Sequence, residues 1–198
     1  MDPAKRIDSV IAQGLVPLLK AHGFAKSART FHRQRDGRWH VVNVQASSGN
    51  SAGQARFTLN LGLYLPELDA LAGNAAVTDK PKEYDCTLRE RIGLLMPQAR
   101  DHWWTLAPDT DADALAADLA QAMSAHGLPW FDAYATAELI AAHFADAPTV
   151  LSAAAALAAG QNEEAARRIE RMLVERPRAQ AVAKAWMARH LPPRPVGD

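Results

Sequence analysis

Ile7, Val10, Ile11, Leu15, Leu18 and Leu19 recur every three or four residues, the spacing of one apolar helix face. The pattern predicts a helix from about Pro3 to His22. Asp2 is placed to cap it, Pro3 suits its first turn, Gly23 suits its end, and Pro17 should kink it. The period then changes to two. Residues 29–35 and 38–47 flank Asp36-Gly37, a two-residue hairpin signal because both turn positions favour positive φ. In that register Phe31, Val42 and Val44 share one face with Arg33 and His40. Thr30, His32, Trp39, Val41, Asn43 and Gln45 take the other. A third strand over 56–65 alternates cleanly, with Phe57, Leu59, Leu61, Leu63 and Leu65 facing the helix and Thr58, Asn60 and Gly62 opposite. A shorter fourth strand, 84–92, should point Cys86 and Leu88 inward and Thr87, Arg89 and Arg91 outward.

The rest of the chain reads as helical. Alanine occurs 14 times in residues 1–110 and 27 times in 111–198, and alanine favours helix over strand. Asp109, Asp111 and Asp113 open a helix that should run to about His126 and stop at Gly127. A break at Leu128-Pro129-Trp130 separates it from another helix over about 133–145. Residues 149–177 resemble one tetratricopeptide-type hairpin, with Leu157, Gly160, Ala165, Ile169, Met172 and Pro177 at the offsets of that motif's second half. Glu163/Arg167 and Glu164/Arg168 there read as helix-surface ion pairs.

The 22 basic residues cancel the 22 acidic ones, so no overall field draws the chain to nucleic acid or anionic membrane. Charge is nonetheless segregated: residues 1–65 hold nine Lys/Arg and three acids, and residues 109–160 hold seven acids and no Lys or Arg. The single cysteine, Cys86, fits a reducing cytoplasm. The longest mostly apolar stretch, 150–159, is too short to span a bilayer, and the first residues lack the apolar core of a signal peptide.

One series of short segments is more specific. Leu-Leu-Lys20-Ala-His-Gly23-Phe24 is followed by Arg29-Thr-Phe31-His-Arg33, Val42-Asn43-Val-Gln45-Ala-Ser47 and Phe57-Thr-Leu-Asn60-Leu-Gly62. Cys86-Thr-Leu-Arg89-Glu-Arg91 and Trp103-Trp104 complete it. The series resembles the bacterial domain of unknown function DUF4304. That resemblance implies an α+β domain over about 1–132. Residues 133–198 lie outside it and read as a helical appendage packed on it, since one repeat cannot bury its own face. The resemblance brings no activity and no catalytic residues.

Metal and nucleophile signatures are weak. The seven histidines fall in no His-x-x-x-His or Glu-x-x-His spacing, and Cys86 has an inward position, so neither a metal site, a cofactor nor a catalytic cysteine is expected. The basic hairpin Lys26, Arg29, Arg33, Arg35 and Arg38 lacks the paired aromatics of a nucleic-acid-binding sheet. The polar sheet face carries more. Asn43 and Asn60 run against strand propensity, and amides and guanidinium groups make directional bonds. His32, Trp39, Asn43, Gln45, Asn60, Arg89 and Arg91 are therefore the candidate ligand-binding residues.

The sequence thus predicts an α+β fold: an antiparallel sheet of about four strands, the first helix on one face, and a C-terminal helical set. The expected function is a cytoplasmic, non-enzymatic module binding a protein or an anionic small ligand on the polar face. The alternative is an enzyme acting on a nucleotide or phosphate-bearing substrate through His32, Arg89 and Arg91. A third account has Arg89 and Arg91 merely paired with acids of the 109–146 helices. A cleft holding a perturbed histidine favours the enzyme, and an open, flat face favours the binder.

Overall fold

The computed structural model describes residues 2–51, 53–77 and 79–191; Ala52 of the 47–53 loop and residues 192–198 of the C-terminal segment lie outside them. The chain forms two compact units. One comprises the chain up to Leu65 with Val77–Asp132, the other Pro66–Ala76 with the chain from Ala133 on.

The first unit begins with α1 (Pro3–Val10), capped by Asp2, whose carboxylate accepts from the Ala4 amide at 3.0 Å. A π turn, Ile11–Leu15, leads into α2 (Val16–Ala21), which ends at Gly23 with φ +81°. The expected kink at Pro17 therefore takes the form of a widened turn just ahead of it, which makes room for a ring that has no N–H to give. Gly14 lies in that turn, where a Cβ would strike the Ala116 carbonyl oxygen of α5 (Ala112–Ala122). The absence of a side chain lets the two backbones touch.

The sheet is fully antiparallel and follows the order β1 (Ala25–Ser27), β2 (Thr30–Arg35), β3 (Arg38–Ala46), β4 (Ala55–Tyr64), β5 (Leu88–Arg91). A sixth strand, β6 (Trp104–Leu106), pairs with residues 55–57 of β4, on the edge that β5 shares. The Asp36-Gly37 turn has positive φ at both residues, and the hairpin register pairs Arg35 with Arg38 and Phe31 with Val42, as the sequence implies. The two added strands, three residues each, are too short to show alternation. Phe31, Val42, Val44, Phe57, Leu59, Leu61 and Leu63 form the core face with Ile7, Ile11, Leu15 and Leu19; all are buried.

Two expectations fail in this unit. The fourth strand is shorter than 84–92, because residues 83–85 form a 3₁₀ turn and α4 (Ile92–Leu95) follows the strand directly. Cys86 follows that turn and is buried on the opposite face from Leu88, with Val41 and Tyr64, where it fills the space left by Gly62. The second failure is the predicted stop. The helix after Asp111 passes through a π turn, Met123–Gly127, straight into α6 (Leu128–Asp132). The turn again precedes a proline, Pro129, and again replaces a break with a bulge.

The second unit is helical: α3 (Pro66–Ala72), α7 (Ala137–His143), α8 (Val150–Ala158), α9 (Asn162–Glu175) and α10 (Gln180–His190). In α8 the run Ser152 to Ala156 is wholly buried, since alanines let neighbouring helices approach from all sides. Arg168 is no surface residue. It is 5 % exposed, pairs with Glu164 at 2.7 Å and donates to the carbonyls of Ala141 and Ser152, tying α7 and α8 to α9. Arg167 pairs with Glu164, not Glu163.

Candidate functional site on the polar sheet face

Asn43 and Thr30 oppose each other across β2 and β3, and the Asn43 amide donates to Thr30 Oγ1 at 2.9 Å. Beside them, the Asn60 amide donates to Gln45 Oε1 at 2.8 Å. Arg91 pairs in register with Asn60 and donates to Asn60 Oδ1, to Gln45 Oε1 and, at 2.9 Å, to Asp101 Oδ1. The amides that oppose strand propensity thus have side-chain partners: Thr30 for Asn43, and Gln45 and Arg91 for Asn60. Asp101 also accepts from Trp103 Nε1 at 2.8 Å; these two bonds hold its carboxyl below the usual range. The Trp103 ring lies against the guanidinium groups of Arg56 and Arg91, 5.6 and 5.7 Å from its centroid.

Arg89 is in register with Gly62 and donates to Glu83 Oε1 at 2.7 Å. Neither arginine pairs with an acid of the 109–146 helices among the described residues: their carboxylates are Glu83 and Asp101.

His32, also on this face, is 8 % exposed. Its Nε2 lies 2.9 Å from the Pro81 carbonyl oxygen, which can only accept, so Nε2 carries the hydrogen. The remaining nitrogen, Nδ1, is buried and has no hydrogen-bond partner among the described residues. Burial pushes the His32 pKa below the ordinary histidine value, against the Pro81 hydrogen bond, and the Lys80 ammonium pushes the same way as burial. Trp39 does not form an open platform; it packs partly buried against Val41, Tyr64 and Cys86, with its ring edge-on to His32 at 6.2 Å. His40 projects to the other face, as the hairpin register requires, where it stacks on Phe131 at 4.6 Å.

A cleft of about 320 Å³ opens over this region. Ser27, Thr30, His32 and Asn43 form its sheet side, and Lys80, Lys82 and Tyr84 line it from the segment before β5. Glu83 lines it as well, with its carboxylate taken by Arg89. Lys82 Nζ lies 5.6 Å from the Tyr84 ring centroid. The volume sits at the small end for ligand pockets. Among the described residues no three His, Cys, Asp or Glu side chains gather as a metal site, and no helix is long and apolar enough to cross a membrane.

The structure brings two of the seven candidates, His32 and Asn43, to the cleft. Gln45, Asn60 and Arg91 form an adjoining network, Arg89 acts on the cleft through Glu83, and Trp39 lies behind His32. Sequence reasoning missed Lys80, Pro81, Lys82 and Tyr84. The signal available was the pair of cations flanking a proline in a segment with no periodicity of its own.

Comparison with known proteins adds one match. No curated protein and no solved structure matches the chain. A family model, the domain of unknown function DUF4304, matches residues 15–133, more than half of the chain. The chain belongs to the DUF4304 family.

Proposed function

We propose that this protein is a non-enzymatic binding module that holds a small anionic ligand in the cleft on its polar sheet face. One observation carries the reading: Lys80 and Lys82 line a cleft whose one carboxylate among the lining residues, Glu83, is already paired with Arg89. The cleft is left with net positive charge over the buried His32 and the half-buried Thr30 and Asn43, the arrangement that recognises an oxyanion. His32 and Asn43 contact the ligand. Gln45, Asn60 and Arg91 hold the adjoining strand face in shape, Arg89 neutralises Glu83, and Trp39 backs the His32 ring. A concave pocket of this size favours a small ligand over a protein partner, whose interface needs a far larger area. The reading places the protein in the cytoplasm, on its single cysteine. It takes α8 and α9 as one tetratricopeptide-like hairpin outside the ligand site.

A second reading, an enzyme acting on a phosphate-bearing substrate, is favoured by His32 alone: a neutral ring oriented by a carbonyl has the form of a general base. Against it, Arg89 and Arg91 are both engaged by carboxylates of their own unit.

Calorimetric titration of the full chain with inorganic phosphate and with acetate separates these outcomes. Saturable phosphate binding, weakened at least tenfold in Lys80→Ala/Lys82→Ala with an unchanged melting temperature, is the expected result. Binding of neither anion, or equal binding by the double variant, overturns the reading. Turnover of a phosphate ester by the wild type, lost in His32→Phe, establishes the enzyme instead.

A further inference from the structure

The orphaned nitrogen of His32 says more about the ligand than its charge. Nε2–H is committed to the Pro81 carbonyl at 2.9 Å, so in the neutral ring Nδ1 is a lone pair, an acceptor and nothing else. It is buried and unpartnered among the described residues, and a buried acceptor without a donor is costly. A carboxylate or a fully ionised phosphate ester cannot satisfy it, because its charged oxygens have no hydrogen to give. Protonating Nδ1 so that it could donate to an anion would place a third positive charge in a desolvated ring beside Lys80 and Lys82. Glu83, the one carboxylate of the lining, is committed to Arg89 and so offers little compensation. The partner that fits is a hydroxyl or N–H.

We propose that the ligand is a small phosphate ester carrying a hydroxyl close to its phosphoryl group, with the hydroxyl donating to His32 Nδ1 while Lys80 and Lys82 hold the phosphate. This rests on the reading of the cleft as an anion site and adds the second functional group. Two ammonium groups match the charge of a phosphate monoester, close to −2 at neutral pH. The cleft, about 320 Å³, admits a compact molecule of this kind. Asn43 donates one amide hydrogen to Thr30 and so orients that hydroxyl side chain in the cleft wall.

Three probes test the inference on the full chain at pH 7.5: glycerol 1-phosphate, methyl phosphate and inorganic phosphate. Affinity is read by calorimetry and the His32 ring nitrogens by NMR. The expected result is glycerol 1-phosphate binding at least tenfold more tightly than methyl phosphate, with the Nδ1 resonance moving for the hydroxylated ester and not for methyl phosphate, and Nε2 remaining protonated. His32→Phe should remove that advantage, bringing the affinities for the two esters within about twofold of each other; the wild-type ring resonances decide the matter independently if the variant folds poorly. Equal affinity for the two esters, or an Nδ1 that becomes protonated on binding, overturns the inference and leaves the anion site standing. No binding of any of the three overturns both.

Discussion

Arg89 Nε donates to Glu83 Oε1 at 2.7 Å, and this pair sets the charge of the cleft. Glu83 is mostly covered, its side chain 13 % exposed, whereas Arg89 is 52 % exposed. The arginine is thus the outer cover of a carboxylate that would otherwise repel an anion.

Removing that cover should therefore change binding more than folding. In Arg89→Ala the free Glu83 carboxylate should weaken inorganic phosphate binding at least fivefold, while stability changes by about 1 kcal/mol, the scale of an ion pair whose arginine is half exposed. Glu83→Gln should bind phosphate at least as tightly as the wild type, and the double variant should regain most of what Arg89→Ala loses. Calorimetry and thermal melts check both. A melting temperature several degrees lower, with affinity unchanged, would make the pair purely structural.

The core side of β4 carries a larger stability cost. Leu59 and Leu61 are fully buried, and Asn60 between them faces Gln45 and Arg91. Leu61→Ala should cost about 2–5 kcal/mol in a denaturant titration, the range for a leucine deleted from a packed core. A loss under about 1 kcal/mol would show that the face is not core.

His40 makes the fold acid-sensitive. Burial, followed by Arg33, Arg35 and Arg38, pushes its pKa down from 6.5 to about 3, and Arg33 donates to its Nδ1 at 2.8 Å. Between those values the unfolded chain takes up a proton that the folded chain refuses. Stability is then present above pH 6.5 and lost as pH falls toward about 3, by at most about 1.4 kcal/mol per pH unit for this one group. His32 is shifted in the same direction. His40→Gln, which keeps an acceptor for Arg33, should flatten the slope of unfolding free energy between pH 6.5 and pH 4 without abolishing it. An unchanged slope would mean that His40 charges freely in the folded state.

The parts of the site that sequence could reveal are those fixed by local periodicity. Asp36-Gly37 sets the hairpin register, and the alternation through Leu59, Leu61 and Leu63 sets the face of β4, so His32, Asn43, Asn60 and Arg91 fall on one surface without any tertiary information. The facing wall of the cleft is different. Lys80, Lys82 and Tyr84 reach it through a segment that leaves β4, contributes Pro66–Ala76 to the helical unit and returns, and no local pattern encodes that return. The partner of Arg91 was hidden for a related reason. Asp101 comes back to β5 because Gly93 lets the chain double onto itself: a Cβ there would strike the backbone of Arg100 and His102. Glycine misled once. Gly127 reads as a helix stop, yet the helix continues through it as a π turn, since the bulge already accommodates Pro129.

Backbone amide NMR of the full chain, titrated with inorganic phosphate, tests the anion site most directly. Saturable shifts should be confined to Ser27, Thr30, His32, Asn43, Lys80 and residues 82–84, the two walls of the cleft. Shifts centred instead on the Arg56–Trp103 surface, on the helical unit, or nowhere in the chain would contradict it.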